Sequence, residues 1–157
     1  MSTSNRTNEQ SDVNTSRTDR ERSLDALHAL ELHAGSAAPG REHDWLKEVH
    51  NAITTLERAL GIQEGNSAPG EGLLSAAEQD APRLRRRVAD LRQRYRAIQD
   101  DVTALSRQLD AIKPADTIDV TDIRQELERI ASELRYQRAR ETDLVYEAYA
   151  VDLGEGD

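Results

Sequence analysis

The sequence predicts an all-α protein, an up-and-down antiparallel bundle of four helices. Three observations support this prediction. Apolar residues recur at helical spacing along most of the 157-residue chain, aromatic residues make up only 3% of it, and short segments with Gly and Pro separate the periodic stretches. Because the core would consist almost wholly of Leu, Ile, Val and Ala, helix packing is favoured over a β-sandwich. An extended coiled coil, paired through the third and fourth helices, is the alternative architecture.

The first helix is predicted at about 21–34, with a disordered polar tail before it. Residues 1–20 are rich in Ser, Thr, Asn and charged side chains and carry almost no apolar residues. The next residues form a modest apolar face, and the Gly- and Pro-containing run 35–40 ends the helix. We therefore expect a tail at 1–20 and a single bundle domain at 21–157.

The other three helices are predicted at about 41–63, 72–112 and 120–150. The second carries an apolar stripe with 4-3-4-4 spacing, which is the period of an amphipathic helix facing a core. The third includes a lead-in, LLSAAEQ, ahead of Pro82, a residue tolerated in the first turn of a helix. Both the third and the fourth helix carry a sustained heptad seam. The seam positions are Leu84, Val88, Leu91, Tyr95, Ile98, Val102, Leu105, Leu109 and Ile112 in the third helix and Ile123, Leu127, Ile130, Leu134, Gln137, Glu141, Leu144 and Ala148 in the fourth.

Polar side chains occupy several positions that should be apolar. Gln137 and Glu141 lie one turn apart in the seam of the fourth helix, and Tyr95 lies in the seam of the third. Extending the stripe of the second helix leads to Gln63. A buried carboxylate costs several kcal/mol unless it is paired or neutralised. Glu141 could therefore bind a cation or small ligand, pair with an Arg, share a hydrogen-bond network with Gln137 and Tyr95 that sets helix register, or lie frayed and exposed at a bundle end.

Composition and charge restrict the classes of function. The chain has no cysteine, which excludes disulfides, thiolate zinc sites and a Cys nucleophile. The formal net charge is −9, which argues against general nucleic-acid binding. No stretch approaches the ~20 apolar residues that span a bilayer, and the N-terminal residues lack the apolar region of a signal peptide. We therefore expect a cytoplasmic protein that does not enter a membrane.

A dense basic band lies on the predicted third helix. Its members are Arg83, Arg85, Arg86, Arg87, Arg92, Arg94 and Arg96. One interpretation is a docking surface for an acidic partner or a nucleic acid. The other, which the 30 acidic residues of the chain favour, is a solvated face paired with carboxylates. No aromatic platform for single strands interleaves with these arginines.

Two segments and the order of the four helices resemble a known family. The segment APGEGLLSAAEQDAPRLRRRVADLRQRY and the ending RARETDLVYEAYAVDLGEGD are similar to bacterial hemerythrin-like proteins of the HHE cation-binding type. The resemblance runs from about Arg22 to Asp157. It implies a four-helix bundle in which His and carboxylate side chains from facing helices hold two non-haem iron atoms.

The sequence departs from the family pattern where the resemblance places metal ligands. Gln63, Tyr95 and Gln137 stand near the places where the family supplies imidazole or carboxylate, and only Glu141 keeps a good ligand type. The resemblance therefore implies a degenerate member in which Gln63, Tyr95, Gln137 and Glu141 mark a vacated metal site. No cofactor is expected on this interpretation.

We accordingly expect a non-catalytic interaction or regulatory module whose partner is an unidentified protein or a second copy of the chain. No phosphate-cradling Gly loop, HExxH motif or nucleophile elbow occurs in the sequence, so enzymatic activity is not expected. One alternative is an oxygen- or redox-responsive protein that binds non-haem iron through Glu141 and a surviving first-helix ligand, His28. A second alternative is an oligomeric coiled-coil scaffold.

Overall fold

The computed structural model describes the backbone of residues 2–66 and 72–155 and the side chains of residues 18–61 and 74–150. All regular secondary structure within these ranges is helical, which confirms the all-α prediction. The helices are α1 (Ser2–Ala34), α2 (Glu42–Asn66), α3 (Gly72–Asp80), α4 (Arg85–Asp110) and α5 (Val120–Glu155), and the 3₁₀ turn Pro82–Leu84 joins α3 to α4.

The predicted start of the first helix is wrong. α1 begins at Ser2 and takes in the stretch for which the sequence predicts a disordered tail. The chain contains no Gly or Pro before Gly35, so nothing in this polar stretch interrupts a helix once one has formed. Asp19 is buried, which shows that the packed part of α1 begins before residue 21.

The predicted third helix is divided into two. The backbone at Ala81 leaves the helical region, with φ −132° and ψ 80°, and Pro82 then opens the 3₁₀ turn. Proline has no N–H to donate, and it disfavours the α conformation in the residue before it. α3 and α4 are therefore separate helices, and α4 alone carries most of the predicted seam.

α4 and α5 contact each other in opposite chain directions. Glu147 of α5 lies 2.6 Å from Arg87 of α4, and further along the pair Arg129 of α5 lies 2.9 Å from Asp101 of α4. α1 packs against α2 and α5, α2 packs against α4, and α3 packs against α5 and α1. No helix in the described ranges is long and apolar enough to cross a membrane.

The buried apolar side chains form two clusters, and the predicted seams of α4 and α5 face them. The main cluster joins α1, α2, the second half of α4 and the first half of α5. The α3 cluster joins α3, the first half of α4 and the second half of α5. The described members of the α3 cluster are Leu74, Ala77, Ala81, Leu84, Val88, Leu91, Leu144 and Ala148. Both seams are thus covered within one chain.

Arg124 and Trp45 bind carbonyl groups at the end of α1 and in the loop that follows it. The Arg124 guanidinium donates from Nε to Ala34 O at 2.9 Å and from Nη2 to Ser36 O at 2.6 Å. The indole N–H of fully buried Trp45 donates to His33 O at 3.0 Å. The guanidinium also lies 5.4 Å from the centre of the Trp45 ring. A cation at a helix C-terminus offsets the partial negative charge of its free carbonyl groups.

The substitution Arg124→Met should lower the free energy of unfolding by about 2 kcal/mol, because two charge-assisted hydrogen bonds and a cation–π contact are lost. Urea denaturation followed by far-UV circular dichroism measures the change. The matched control is Arg94→Met, at an exposed position in the middle of α4, which should stay within about 0.5 kcal/mol of wild type. Equal stability of the two variants would contradict the capping role of Arg124.

Candidate functional site

Three helices bring a buried carboxylate, a phenol and a guanidinium together. Glu141 on α5 is only 4% exposed. Its Oε2 accepts a hydrogen bond of 2.6 Å from the hydroxyl of Tyr95 on α4. Its Oε1 lies 3.1 Å from Nη2 of Arg20 on α1. Each oxygen of the carboxylate thus has its own partner, and the charge that would make burial costly is offset. We call these three residues the polar cluster.

Arg138 lies beside the polar cluster on α5. Its guanidinium donates to the Ser23 hydroxyl and, at 3.3 Å, to the backbone carbonyl of Arg20. Burial lowers the pKa of Arg138, and the nearby charge of Arg20 lowers it further, whereas Tyr95 and Glu141 act in the opposite direction. Arg138 therefore fixes the stretch of α1 that carries Arg20.

Gln137 lies one turn before Glu141 on α5 and is also buried, but it belongs to a different set of hydrogen bonds. It is 1% exposed. Its Nε2 donates to Glu133 at 3.1 Å, and its Oε1 accepts from Arg140 at 3.4 Å. All of these residues lie on α5. Of the predicted set, the structure joins Tyr95 to Glu141 and leaves Gln137 without a hydrogen bond to either, and the side chain of Gln63 lies outside the described residues.

Arg20 is the member of the polar cluster that the sequence prediction missed, because the predicted tail ends at this residue. A signal was present in the spacing. Counting back from Leu30 and Leu27 along the apolar stripe of α1 reaches Ser23 and then Arg20, at 3-4-3 spacing. A seam carboxylate on α5 requires a cation or a donor, and Arg20 is a guanidinium at the matching face of α1.

A pair of iron ions, which the resemblance implies, does not fit these side chains. The polar cluster offers one carboxylate, and both of its oxygens are already engaged. Arg20 already supplies a positive charge where a cation would need ligands. Among the described residues, no group of three or more His, Cys, Asp or Glu side chains is arranged to hold a metal ion.

His28 does not join Glu141. Its side chain is 60% exposed, and its Nδ1 lies 3.9 Å from Glu31 on the same helix. Arg20, which does reach Glu141, precedes His28 by eight residues, or about 12 Å along a helix axis. The structure therefore does not bring His28 and Glu141 together.

The seven arginines of the basic band do not form one free surface. Arg83 and Arg87 both contact Glu147 on α5, at 3.1 and 2.6 Å, and the hydrogen bonds from Arg87 and Arg83 lower the pKa of Glu147. Arg92 bonds to Glu78 of α3 at 2.9 Å. The remaining members are Arg85, which lies 3.7 Å from Glu78, and the exposed Arg86, Arg94 and Arg96. At least four of the arginines are therefore paired with acids of neighbouring helices.

The environment of Tyr95 predicts a loss of stability at alkaline pH. Burial raises the pKa of Tyr95, and the adjacent Glu141 carboxylate raises it further. The unfolded chain ionises this phenol near pH 10 while the folded chain keeps it protonated, so the unfolded state binds fewer protons above that pH. The free energy of unfolding should therefore fall by up to about 1.4 kcal/mol per pH unit above pH 10 because of Tyr95.

Urea denaturation at pH 8 to 11 measures this effect. The stability difference between wild type and Tyr95→Phe should be constant up to about pH 9 and shrink above pH 10. Tyr136→Phe is the control, because Tyr136 is 61% exposed and its replacement should leave the pH dependence unchanged. If the free energy of unfolding of wild type and of Tyr95→Phe changed with pH in the same way, the predicted contribution of Tyr95 would be contradicted.

No protein family matches the chain in the comparisons, and no curated protein and no solved structure is found to match it.

Proposed function

We propose that the chain is a hemerythrin-like, up-and-down four-helix bundle in which the polar cluster occupies the level where the family holds metal. On this proposal the protein works without a metal, as a non-catalytic interaction or regulatory module of the cytoplasm, and its partner is another protein or a second copy of the chain. The observation that carries the proposal is the pairing of Glu141 with Tyr95 and Arg20, one partner on each carboxylate oxygen.

Three features support the proposal. The contacts between α4 and α5 run in opposite chain directions, as an up-and-down bundle requires. Tyr95 and Glu141, which the resemblance places at the metal level, do lie within hydrogen-bond distance. The charge of a guanidinium and the hydrogen bond of a phenol stabilise a buried carboxylate without any metal, so the proposed bundle needs no ion to offset this charge.

Iron content tests the proposal. The chain is expressed with excess iron in the medium and purified without chelator, and iron is measured per chain together with the visible absorption spectrum. We expect well under one iron per chain and no visible band. Close to two iron atoms per chain would contradict the proposal.

The variant Glu141→Gln provides the matched comparison, because it removes the carboxylate and keeps the size of the side chain. We expect the same low iron content in the variant and in wild type. Iron present in wild type and lost in Glu141→Gln would show that Glu141 is a ligand, which supports the alternative of an iron-dependent sensor instead.

A further inference from the structure

The polar cluster lies between the two apolar clusters of the fold. On α4, Leu91 belongs to the α3 cluster and Ile98 to the main cluster. On α5, Leu134 belongs to the main cluster and Leu144 to the α3 cluster. The seam positions between them are polar on both helices: Tyr95 on α4, and Gln137 and Glu141 on α5. Tyr95 packs against both clusters, and its hydroxyl points at Glu141.

Among the described residues, each apolar cluster includes buried side chains from a helix that contributes none to the other cluster. α2 contributes buried side chains to the main cluster, from Trp45 to Leu60, whereas α3 contributes to the α3 cluster. α1, α4 and α5 pass the level of the polar cluster, and the described buried side chains of α2 and α3 belong to different apolar clusters. The backbone break at Ala81 separates α3 from the continuous helix α4.

We infer that the polar cluster divides the bundle into two cooperative units, and that the unit containing α3 opens on its own while the unit containing α2 stays folded. The opening unit comprises α3, the first half of α4 and the second half of α5. This inference rests on the position of the polar cluster and does not depend on the proposed function.

The physical reason is that the free energy needed to separate the helices differs between an apolar level and the level of the polar cluster. Parting two apolar surfaces exposes both to water, but parting at the polar cluster exposes a carboxylate, a phenol and a guanidinium, which water solvates well. Cooperative opening units of a protein often coincide with such supersecondary pieces. α3 has only nine residues, and a helix of that length depends on packing for its stability.

The exposed ion pairs of the opening unit do little to prevent this, and the more buried pair of Arg92 with Glu78 joins α4 to α3 inside the same unit. Glu147 pairs with Arg83 and Arg87, but these side chains are about half exposed or somewhat less. Surface pairs of this kind contribute little to stability. The buried contacts of the α3 cluster therefore hold the unit closed, and its opening uncovers an apolar face made of Leu84, Val88, Leu91, Leu144 and Ala148.

Native-state hydrogen exchange of the full chain, measured with low concentrations of urea, tests the inference. In wild type, amides at 85–91 and 144–148 should exchange through an opening at least tenfold more frequent than the opening that exposes amides at 98–105 and 127–134. The change in protection should fall between Leu91 and Ile98 on α4 and between Leu134 and Leu144 on α5.

The variant Leu74→Ala distinguishes a cooperative unit from frayed helix ends. Leu74 is buried in α3, so its truncation should speed exchange at 85–91 and 144–148 by the same factor, at least tenfold, and leave 98–105 unchanged. The control is Leu32→Ala at a 73% exposed position, which should change none of these rates.

Three outcomes would overturn the inference. The first is a single opening factor for both sets of amides in wild type, which would make the bundle one unit. The second is a Leu74→Ala effect confined to α3, and the third is a Leu74→Ala effect that is equal on both sides of the polar cluster. The wild-type measurement is independent of whether the variant folds.

Discussion

The substitution Arg20→Met should lower the free energy of unfolding by about 3 kcal/mol, although the sequence places Arg20 at the end of a polar tail. Methionine has a similar reach and is a good helix former, so α1 itself is not weakened. The loss arises because the carboxyl group of Glu141, 4% exposed, would stay buried without the guanidinium that lies 3.1 Å away. Removing one partner of a fully buried ion pair costs 3–5 kcal/mol, and Arg20, which is partly exposed, belongs at about the lower end.

Urea denaturation followed by the fluorescence of Trp45, the only tryptophan of the chain, measures the change. The control is Arg22→Met at an exposed position two residues further on, which should stay within about 0.5 kcal/mol of wild type. The double variant Arg20→Met with Glu141→Leu should be more stable than Arg20→Met alone, since no unpaired buried charge remains. Wild-type stability of Arg20→Met would show that Arg20 does not neutralise Glu141.

The substitution Trp45→Ala should lower the free energy of unfolding by about 4 kcal/mol. Trp45 is among the largest fully buried side chains of the main cluster. Its truncation leaves a cavity, removes the hydrogen bond to His33 O and takes away the ring beneath Arg124. Far-UV circular dichroism replaces fluorescence as the probe here.

The comparison with Trp45→Phe separates the effect of the cavity from the effect of the lost hydrogen bond. Phenylalanine fills much of the cavity but has no N–H, so this variant should lose about 2 kcal/mol, mainly through the unpaired carbonyl of His33 and the smaller ring. A loss under about 1 kcal/mol for Trp45→Ala would contradict the packing described for the α1–α2 junction.

The seam residues were predictable because the heptad spacing is unbroken. Leu84, Val88 and Leu91 of the predicted third helix and Leu127, Ile130 and Leu134 of the predicted fourth helix are all buried, as the spacing predicts. The same periodicity located Glu141 and Tyr95, since a polar residue in an apolar seam stands out. The prediction of helices therefore depended on local pattern, which a sequence displays directly.

The sequence did not show which positively charged residue pairs with Glu141. That choice depends on the register of α1 against α5, a contact between residues more than a hundred positions apart. Polar composition at 1–20 argued for disorder, but the absence of Gly and Pro allows a helix, and the packing of Arg20 and Ser23 against α5 stabilises it. At Ala81 and Pro82 the opposite error occurred, because one continuous helix was predicted where the structure has two. The apolar period continues through this point, but the backbone leaves the helical conformation there.

The hydrogen bond between Tyr95 and Glu141 is the central contact of the proposed metal-free bundle, and a double-mutant cycle measures it. The cycle compares wild type, Tyr95→Phe, Glu141→Leu and the double variant, so the effect of leaving Arg20 without its acid is common to both Glu141 variants and cancels. Because the acceptor is charged and buried, we expect a coupling free energy of about 2 kcal/mol. A coupling below about 0.5 kcal/mol, within the error of simple additivity, would contradict the account.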